Sequence, residues 1–324
     1  MMLLSRNGIL YSFQAKIIFN FYDRRVFMFY KFDQYLALNL PGNFLKDFYV
    51  RSMRRFAECG LFRGSYIVKT KFNFSMNVDR LDAVKWFIYY FKQLEPGIST
   101  AWINLLESGD TVVDIGGNIG YHAMLASVCV GDGGKVLTFE PSSRIFADQK
   151  ANLKLNNTTN VEAHQCAVSN VPGEVDLFYA GENIQGNSSI FHKNNSVSSE
   201  TVKAITFDEI SKLVDLSQVK LIKIDVEGAE GLVLSSLAGH VKALANECVI
   251  FVEISPENAA SGHDMLKPFI DAGFHAKLIE NEYATNFYRR DGQVKFSPLI
   301  LSHNIIHDVV LCRDDNRFLK MAGL

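Results

Sequence analysis

The segment TVVDIGGNIG, residues 111–120, contains the pattern from which the fold can best be predicted. Its first half is mostly apolar, as is typical of a buried strand, and glycines follow at the point where the chain would turn sharply. The segment IGYHAMLASVCV, residues 119–130, has the apolar content of a helix packed on a sheet. A strand, a glycine turn and a helix form the first part of a βαβ unit, in which amide groups at the start of the helix face a ligand.

The same alternation of strand and helix patterns continues to the end of the chain. Further strands are predicted at KVLTFEP, VEAHQCAVS, LIKIDVEG, CVIFVEIS, HAKLIE and HDVVLCR, with VDLFYA as a shorter one. Helices are predicted at residues 144–157, 229–244 and near 258–272. Strands that alternate with helices of this length predict an α/β fold with a doubly wound, mostly parallel, seven-stranded sheet. A ligand is then expected at the carboxyl ends of the strands.

The composition is that of a globular protein, since 48% of the 324 residues are hydrophobic and 21% are charged. The net charge of −2 gives no indication of a nucleic-acid partner, and we expect none. The five cysteines form no C-x-x-C pair, which argues against a disulfide framework or a thiolate zinc site and favours a reducing compartment. No apolar stretch approaches the roughly 18 residues that span a bilayer and no signal peptide is visible, so the sequence predicts a cytoplasmic protein.

The N-terminal region differs in composition from the rest of the chain. Residues 1–71 contain 12 Lys and Arg against 4 Asp and Glu, and the first 60 residues contain 14 of the 39 aromatic residues. The sequence therefore predicts a basic, aromatic-rich helical extension over residues 1–64, a hairpin and helix over 65–110, and the ligand-binding domain over 111–324. For the extension we favour a helical subdomain packed on the sheet or on a second subunit, because so many aromatic side chains would not stay exposed. An acceptor pocket and an interfacial helix on anionic lipid are the alternatives.

Asp114 stands at the end of the first strand of the ligand-binding domain, directly before the glycine turn. The turn is not the G-x-G-x-x-G of dinucleotide sites, because Asn118 lies between Gly116 and Gly120. The pyrophosphate of a dinucleotide would meet the like charge of Asp114, whereas S-adenosylmethionine carries an ammonium and a sulfonium that a carboxylate attracts. The sequence favours S-adenosylmethionine over NAD, with a packing turn that binds no ligand as the structural alternative.

Glu140 ends the next strand, 26 positions after Asp114. An acidic residue at about this distance beyond the glycine turn is placed to accept hydrogen bonds from both hydroxyls of a ribose. Taken alone, a carboxylate at a strand end is more often a helix N-cap or part of a solvated loop. The joint spacing with Asp114 favours the ribose site.

Asp225 lies in the segment IKIDVEGAE, residues 222–230, at the end of the fourth main strand. In the expected sheet order this strand neighbours the first, so its carboxylate should face the same crevice. There it could orient the cofactor or the acceptor, or take a proton from an attacking hydroxyl. Glu227 and Glu230 follow at a helix start, where negative charge is favoured, so helix capping is as good an interpretation for them as catalysis.

Five segments together resemble the FkbM family of methyltransferases: VVDIGGNIGYHAM, VLTFEP, the Asn-rich helix end at 154–157, ITFDEI and LIKIDVEGAE. The resemblance covers about residues 90–312, and the last segment is its most diagnostic part. It implies a class I methyltransferase fold, S-adenosylmethionine as cofactor, and O-methylation of a hydroxyl on a small molecule, sugar or glycolipid. Gly117 departs from the family pattern, in which Ala is commoner.

The resemblance also implies roles for individual residues. The methionine part of the cofactor would be surrounded by Asp114, Gly116, Asn118 and Gly120, and its amino group reached by Glu95. The ribose would be bound by Glu140, which Pro141 follows, and the segment Cys166-Ala167-Val168 would lie near the adenine. We predict Asp225 and Glu227 as the catalytic pair, with Asp225 also in contact with the cofactor.

Other candidate residues carry weaker signals. Glu253 could form a metal site with Asp225, but an ordinary strand-end carboxylate is the favoured interpretation, so we predict no metal. The histidines that could act as a general base are His122, His263, His303 and His307, and substrate-lining residues could include Tyr121, Tyr283 and the loop 186–189. The competing function classes are an NAD-dependent oxidoreductase and a non-catalytic binding protein on the same fold.

Overall fold

The computed structural model describes residues 31–40, 43–58, 64–79, 82–179, 188–189, 198–281, 287–288, 293–302 and 305–324. The chain divides into two units, Met1–Phe62 and Arg63–Leu324. In the first unit, residues 31–39 form helix α1 and Asn43–Glu58 forms helix α2. The first 30 residues, which carry much of the predicted extension, lie outside the described residues. The three-part division of the chain stays a prediction.

Helix α2 has one buried stripe and one exposed apolar stripe. Val50 and Met53, three residues apart, are buried, and the aromatic rings of Phe44, Phe48 and Phe56 are exposed. The hydroxyl of Tyr49 donates to the carboxylate of Asp33, 2.9 Å away. No helix among the described residues is both long enough and apolar enough to cross a membrane.

An eight-stranded sheet forms the centre of the second unit. Its strands in spatial order are β13 (Phe296–Pro298), β12 (His275–Ile279), β14 (His307–Cys312), β11 (Val249–Ile254), β10 (Val219–Ile224), β3 (Thr111–Ile115), β4 (Lys135–Phe139) and β5 (Val161–His164). The pairs from β11 to β5 are parallel, whereas β14 runs antiparallel to both β11 and β12. This topology confirms the predicted fold class and adds one short edge strand, β13, to the seven that the sequence indicates.

The helices of the second unit are α3 (Ala83–Phe91), α4 (Pro96–Leu105), α5 (Tyr121–Val130), α6 (Ser143–Leu155), α7 (Phe207–Leu213), α8 (Glu230–Ala238), α9 (Gly262–Asp271) and α10 (Asn316–Met321). Side chains alternate between the two faces of each strand. Val113 and Ile115 of β3 lie in a core with Val233 and Leu234 of α8. Asp114, between them, therefore points to the opposite face of the sheet.

Two smaller sheets complete this unit. Strands β1 (Tyr66–Lys69) and β2 (Ser75–Val78) form an antiparallel hairpin. A four-stranded sheet has the order β6 (Ala167–Val168), β9 (Ser198–Ile205), β7 (Gly173–Tyr179) and β8 (Ser188–Ser189). The segment VEAHQCAVS therefore forms two strands in different sheets, because the chain leaves the edge of β4 after His164 and pairs with β9 from Ala167 onward.

Candidate active site

The glycine turn after β3 fits directly against the end of β10. Gly116 has a φ of 82°, a conformation that residues other than glycine rarely adopt. A Cβ atom at this position would lie 1.6 Å from the carbonyl oxygen of Asp225. The amide of Asp225 in turn donates to the carbonyl of Ile115 across 3.0 Å. The turn and the Asp225 backbone are thus in direct contact, as the predicted adjacency of the first and fourth main strands requires.

The space beside Gly117 is filled by two polar side chains. A Cβ atom here would lie 2.0 Å from Thr138 Oγ1 and 2.4 Å from Gln149 Nε2. Gln149 also donates to Thr138 Oγ1 at 3.2 Å. Glycine at this position, where the family resemblance would lead one to expect alanine, therefore matches the side chains that surround it in this chain.

Asp114 lies beneath the glycine turn and not on the wall of the cleft described below. Its side chain is fully buried, and Thr138 Oγ1 donates to its Oδ2 at 3.1 Å. Its other oxygen, Oδ1, accepts no hydrogen bond from the residues that the structure describes. Burial raises the pKa of Asp114 to about 6, although the charge of Lys223 opposes the rise.

Glu140 is oriented by two backbone amides. The amide of Asn118 donates to its Oε2 at 3.0 Å, and the amide of Ser142 donates to its Oε1 at 2.9 Å. The N-cap of α6 is Ser142, and Glu140 is only 5% exposed, so Glu140 is neither a helix N-cap nor a solvated loop residue. Burial raises its pKa to about 7, against the effect of these two hydrogen bonds.

Glu140 borders a cleft at the carboxyl ends of β3, β4 and β10, whose empty space is about 710 Å³ when the open solvent at its mouth is included. Seven of the predicted site residues line it: Gly116, Asn118, Glu140, Pro141, Ala167, Asp225 and Glu227. Three others, Glu95, Asp114 and Gly120, do not line it. Gly120 is the N-cap of α5, with a φ of 86°.

The apolar wall of the cleft combines residues 166–168, which were predicted to lie near the adenine, with elements that the sequence did not assign to the site. Ala167 and Val168 belong to β6, and Val175 and Leu177 belong to β7. Ile145 from α6 and Cys166 also line it. The pattern VDLFYA predicts a strand, but spacing alone does not show that this strand belongs to a second sheet that closes over the first.

Lys223, which is not among the site residues predicted from the sequence, is a buried cation next to the polar end of the cleft. Its Nζ lies 2.6 Å from Asp225 Oδ2, and the residue is 5% exposed. Burial disfavours the charged ammonium, but Asp225, Glu95 and Asp114 together raise the pKa of Lys223 above its usual value. The strand VKLIKI is buried along its whole length and carries two lysines, of which Lys220 pairs with Glu247. A second lysine in so apolar a segment was the signal that could have identified Lys223.

Carboxylates from three elements meet beside Lys223. Ligand oxygens of Glu95, Asp225 and Glu253 all lie within 4.8 Å of one another. Asp308 in β14 stands opposite Glu253 in the antiparallel register. Burial and then the charge of Asp225 raise the pKa of Glu253 well above its usual value, and burial and then Glu95 raise that of Asp308 to about 8.

The two glutamates after Asp225 differ in their surroundings. Glu230 is fully buried and accepts from the amide of Gly228 at 2.8 Å, from Ser255 Oγ at 2.8 Å and from Asn258 Nδ2 at 2.6 Å. These contacts make Glu230 a structural residue at the start of α8. Glu227 lines the cleft with a φ of 52°, and burial followed by the charge of Asp225 raises its pKa to about 8.

His122 is buried against Glu95. Its Nε2 lies 3.3 Å from Glu95 Oε2, and its ring centroid lies 5.0 Å from that of Trp102. Burial, followed by the charge of Lys223, lowers the pKa of His122 well below its usual value, so the ring is neutral. Glu95 has a φ of 43°, and its amide donates to the hydroxyl of Tyr288 at 3.1 Å.

No histidine in the described residues lines the cleft, His122 included. His263 is exposed on α9, and the ring of His307 bonds to the backbone of Ser302. Tyr121 is buried, with its hydroxyl 3.3 Å from Ser99 Oγ, and does not line the cleft either. His303, Tyr283 and residues 186–187 lie outside the described residues. The described part of the chain thus offers carboxylates, rather than a histidine, at the polar end of the cleft.

Comparison with known proteins places this cleft in context. A family model described as the methyltransferase FkbM domain matches residues 114–276. Methyltransferase 1 of Beauveria bassiana is 31% identical over 176 residues, which cover 48% of this chain and 70% of that protein. Hexuronic acid methyltransferase AglP of Haloferax volcanii is 30% identical over 148 residues, which cover 46% of this chain and 57% of that protein.

Solved structures show more distant similarity. A putative rRNA-methylase from Clostridium thermocellum superimposes with a TM-score of 0.43 and 16% identity, over 68% of this chain and 95% of that one. A precorrin-6y C5,15-methyltransferase from Geobacter metallireducens gives a TM-score of 0.39 and 13% identity, over 68% and 86% of the two chains.

Proposed function

Because the chain belongs to the FkbM methyltransferase family, whose cofactor is S-adenosylmethionine, we propose that it methylates a hydroxyl on a small molecule, sugar or glycolipid. The observation that carries the proposal is the placement of Glu140 in the cleft. This carboxylate is held by the amides of Asn118 and Ser142, between the glycine turn and an apolar wall. The family match removes the NAD-dependent oxidoreductase from consideration.

The residues present fit the cofactor chemically. Each oxygen of Glu140 accepts one backbone hydrogen bond, and a carboxylate oxygen has two lone pairs, so each can accept another from a ribose hydroxyl. The apolar side chains of Val168, Val175 and Leu177 suit an adenine ring. Gly116 and Asn118 present the turn to the same cleft, where the methionine part would lie.

In methyl transfer, the main task of the protein is to align the acceptor oxygen with the methyl carbon and the sulfur of the cofactor. When bound, S-adenosylmethionine supplies a methyl carbon that is already strongly electrophilic. Asp225 lines the cleft, and its contact with Lys223 at 2.6 Å fixes the direction of its carboxylate. We assign to Asp225 the orientation of the acceptor hydroxyl and acceptance of its proton, and to Glu227 a contact with the acceptor.

A hydroxylated acceptor suits the polar end of this cleft. Asp225 and Glu227 offer acceptor oxygens to hydroxyl groups, which donate hydrogen bonds. One relative, AglP, is by its name a hexuronic acid methyltransferase, which makes uronic acids and their glycosides a sensible first panel of acceptors.

The proposal is tested in two stages. Calorimetry should first detect binding of S-adenosylhomocysteine and a far weaker response to NAD. The protein is then incubated with methyl-labelled S-adenosylmethionine and a panel of sugars, uronic acid glycosides and glycolipids, and products are read by mass spectrometry. Label in an O-methyl ether supports the proposal. Label in an N-methyl product, or binding of S-adenosylhomocysteine with no transfer to any hydroxylated acceptor, would contradict it.

A further inference from the structure

A cluster of buried carboxylates lies at the polar end of the cleft, and its members come from separate parts of the fold. Glu95 is the N-cap of α4, Asp225 follows β10, and Glu253 is near the end of β11. Their ligand oxygens lie within 4.8 Å of one another. The parallel strands β10 and β11 bring their carboxyl ends together, so this convergence is a product of the sheet topology.

Glu253 is the member of this cluster that is buried without a hydrogen-bond donor or cation among the described residues. It is only 9% exposed, and no residue that the structure describes donates a hydrogen bond to it or forms an ion pair with it. Its carboxyl group points at those of Glu95 and Asp225. An ionised carboxylate is costly to bury without a compensating donor or cation.

Among the described residues, carboxyl groups outnumber cationic groups around the cluster. Lys223 is the cation that faces it, and this ammonium is already engaged with Asp225 at 2.6 Å. Asp308, opposite Glu253, and Glu227, on the cleft wall, add further carboxyl groups, while His122 is buried beside Glu95. A cation that binds there would replace protons on these carboxyl groups.

We propose that Glu95, Asp225 and Glu253 bind a divalent cation of the hard, oxygen-preferring class, such as Mg²⁺, Mn²⁺ or Ca²⁺. Three carboxylate oxygens from different elements are a ligand set that these ions prefer. Three oxygens spread evenly around a Ca²⁺ ion are about 4.0–4.5 Å apart, and around Mg²⁺ about 3.5 Å apart. Separations within 4.8 Å therefore accept Ca²⁺ after a contraction of less than about 1 Å, and the smaller ions after a somewhat larger one.

The cation also has an accessible side. Asp225 lines the cleft, and its side chain is 24% exposed. Positions of the ion that protein oxygens do not fill would face the cleft, where a hydroxyl oxygen of the acceptor could replace a water. This acceptor-binding role rests on the proposed function, whereas binding of the ion itself does not.

The experiment measures binding of Mn²⁺ to the full chain by electron paramagnetic resonance, without cofactor or acceptor. We expect about one Mn²⁺ for each chain, displaced by Mg²⁺ or Ca²⁺. Glu253→Gln should weaken this binding at least about tenfold. Glu174→Gln, which alters an exposed glutamate on β7, should leave it unchanged. Absence of Mn²⁺ binding by the wild-type chain would overturn the proposal whether or not the variant folds, as would equal binding by the two variants.

Saturating S-adenosylhomocysteine separates this site from one for the ammonium group of the cofactor. If the bound Mn²⁺ persists, the ion and the cofactor have separate places, as proposed. If S-adenosylhomocysteine displaces the ion, the three carboxylates serve the cofactor's ammonium and the metal site is refuted. Methyl transfer by a wild-type chain that binds no Mn²⁺ would overturn the metal site alone. Mn²⁺ binding by a wild-type chain that transfers no methyl group would overturn only the proposed function.

Discussion

The amide of Asn118 donates to Oε2 of Glu140 across 3.0 Å, so the glycine turn after β3 and the end of β4 hold each other in place at the cleft. Asn118 has a φ of 46°, a left-handed conformation that Asn tolerates better than most residues and that turns its amide toward the carboxylate. This single hydrogen bond joins the two segments that the proposed function assigns to the methionine part and to the ribose of the cofactor.

Replacing Glu140 should weaken cofactor binding. Glu140→Gln should lower the affinity for S-adenosylhomocysteine by about 1–3 kcal/mol, because hydrogen bonds from ribose hydroxyls to a charged acceptor are lost. Isothermal titration calorimetry measures this directly. The control is Glu162→Gln, a change of the same type at an exposed residue on β5. Equal affinities of Glu140→Gln and the control would remove Glu140 from the ribose site.

Glu140 should also make folding stability depend on pH. Burial raises its pKa from 4.5 to about 7, so the folded state binds this proton more tightly than the unfolded state does. Its contribution to stability is therefore complete below about pH 4.5 and is lost as the pH rises through about 7. Relative to Glu140→Gln, the cofactor-free wild type should lose about 3 kcal/mol between pH 4 and pH 8.

Urea unfolding of both proteins across this pH range measures the difference. Comparing the two cancels the opposite contribution of His122, whose pKa is lowered by burial. A difference between wild type and Glu140→Gln that stays constant with pH would show that the pKa of Glu140 is the same in the folded and unfolded states.

Asp225→Asn should reduce turnover much more than cofactor affinity. Removal of a positioned proton acceptor costs about 10²–10⁴-fold in rate. The substitution also leaves the buried ammonium of Lys223 without its partner at 2.6 Å, so the rates must be measured well below the unfolding temperature of the variant. Unchanged turnover with the identified acceptor, in a variant shown to be folded, would end the catalytic assignment of Asp225.

Gly117→Ala should destabilise the protein by about 1–3 kcal/mol, the usual cost of an overpacked side chain. The new Cβ would lie 2.0 Å from Thr138 Oγ1, so the contacts of Thr138 with Asp114 and Gln149 must shift. Thermal unfolding tests this, with Gly133→Ala as control, because a Cβ at Gly133 meets no atom within 4 Å. Equal unfolding temperatures for the two variants would show that the turn adapts easily.

The sequence predicted the sheet well because each of its main strands is a compact apolar segment followed by a turn or helix pattern. It also placed Glu140 and Asp225 on the cleft, since strand ends in a parallel sheet meet at one edge. Asp114 is different: its position at the strand end was evident, but alternation of side chains within β3 directs it beneath the turn.

What the sequence could not provide are contacts that depend on two distant segments. Val175 and Leu177 reach the cleft through pairing of β7 with β9, which no local pattern encodes. Glu95 and Glu253 are 158 positions apart, and only the assembled sheet brings them within ligand distance. Glu230, by contrast, belongs to the segment that is most diagnostic of the family, yet its carboxylate is engaged in structural hydrogen bonds.

The contact between Gly116 and the carbonyl of Asp225 has a genetic consequence. With only 1.6 Å available to a side chain, no substitution at Gly116 can be absorbed without moving the Asp225 backbone. Substitutions at this glycine should therefore reduce cofactor affinity and turnover together, and none should reduce only one of the two. In a mutational scan, substitutions at Gly116 should therefore impair turnover, as those at Asp225 should. Changes in acceptor preference are then expected at other residues around the cleft, with Gly116 retained.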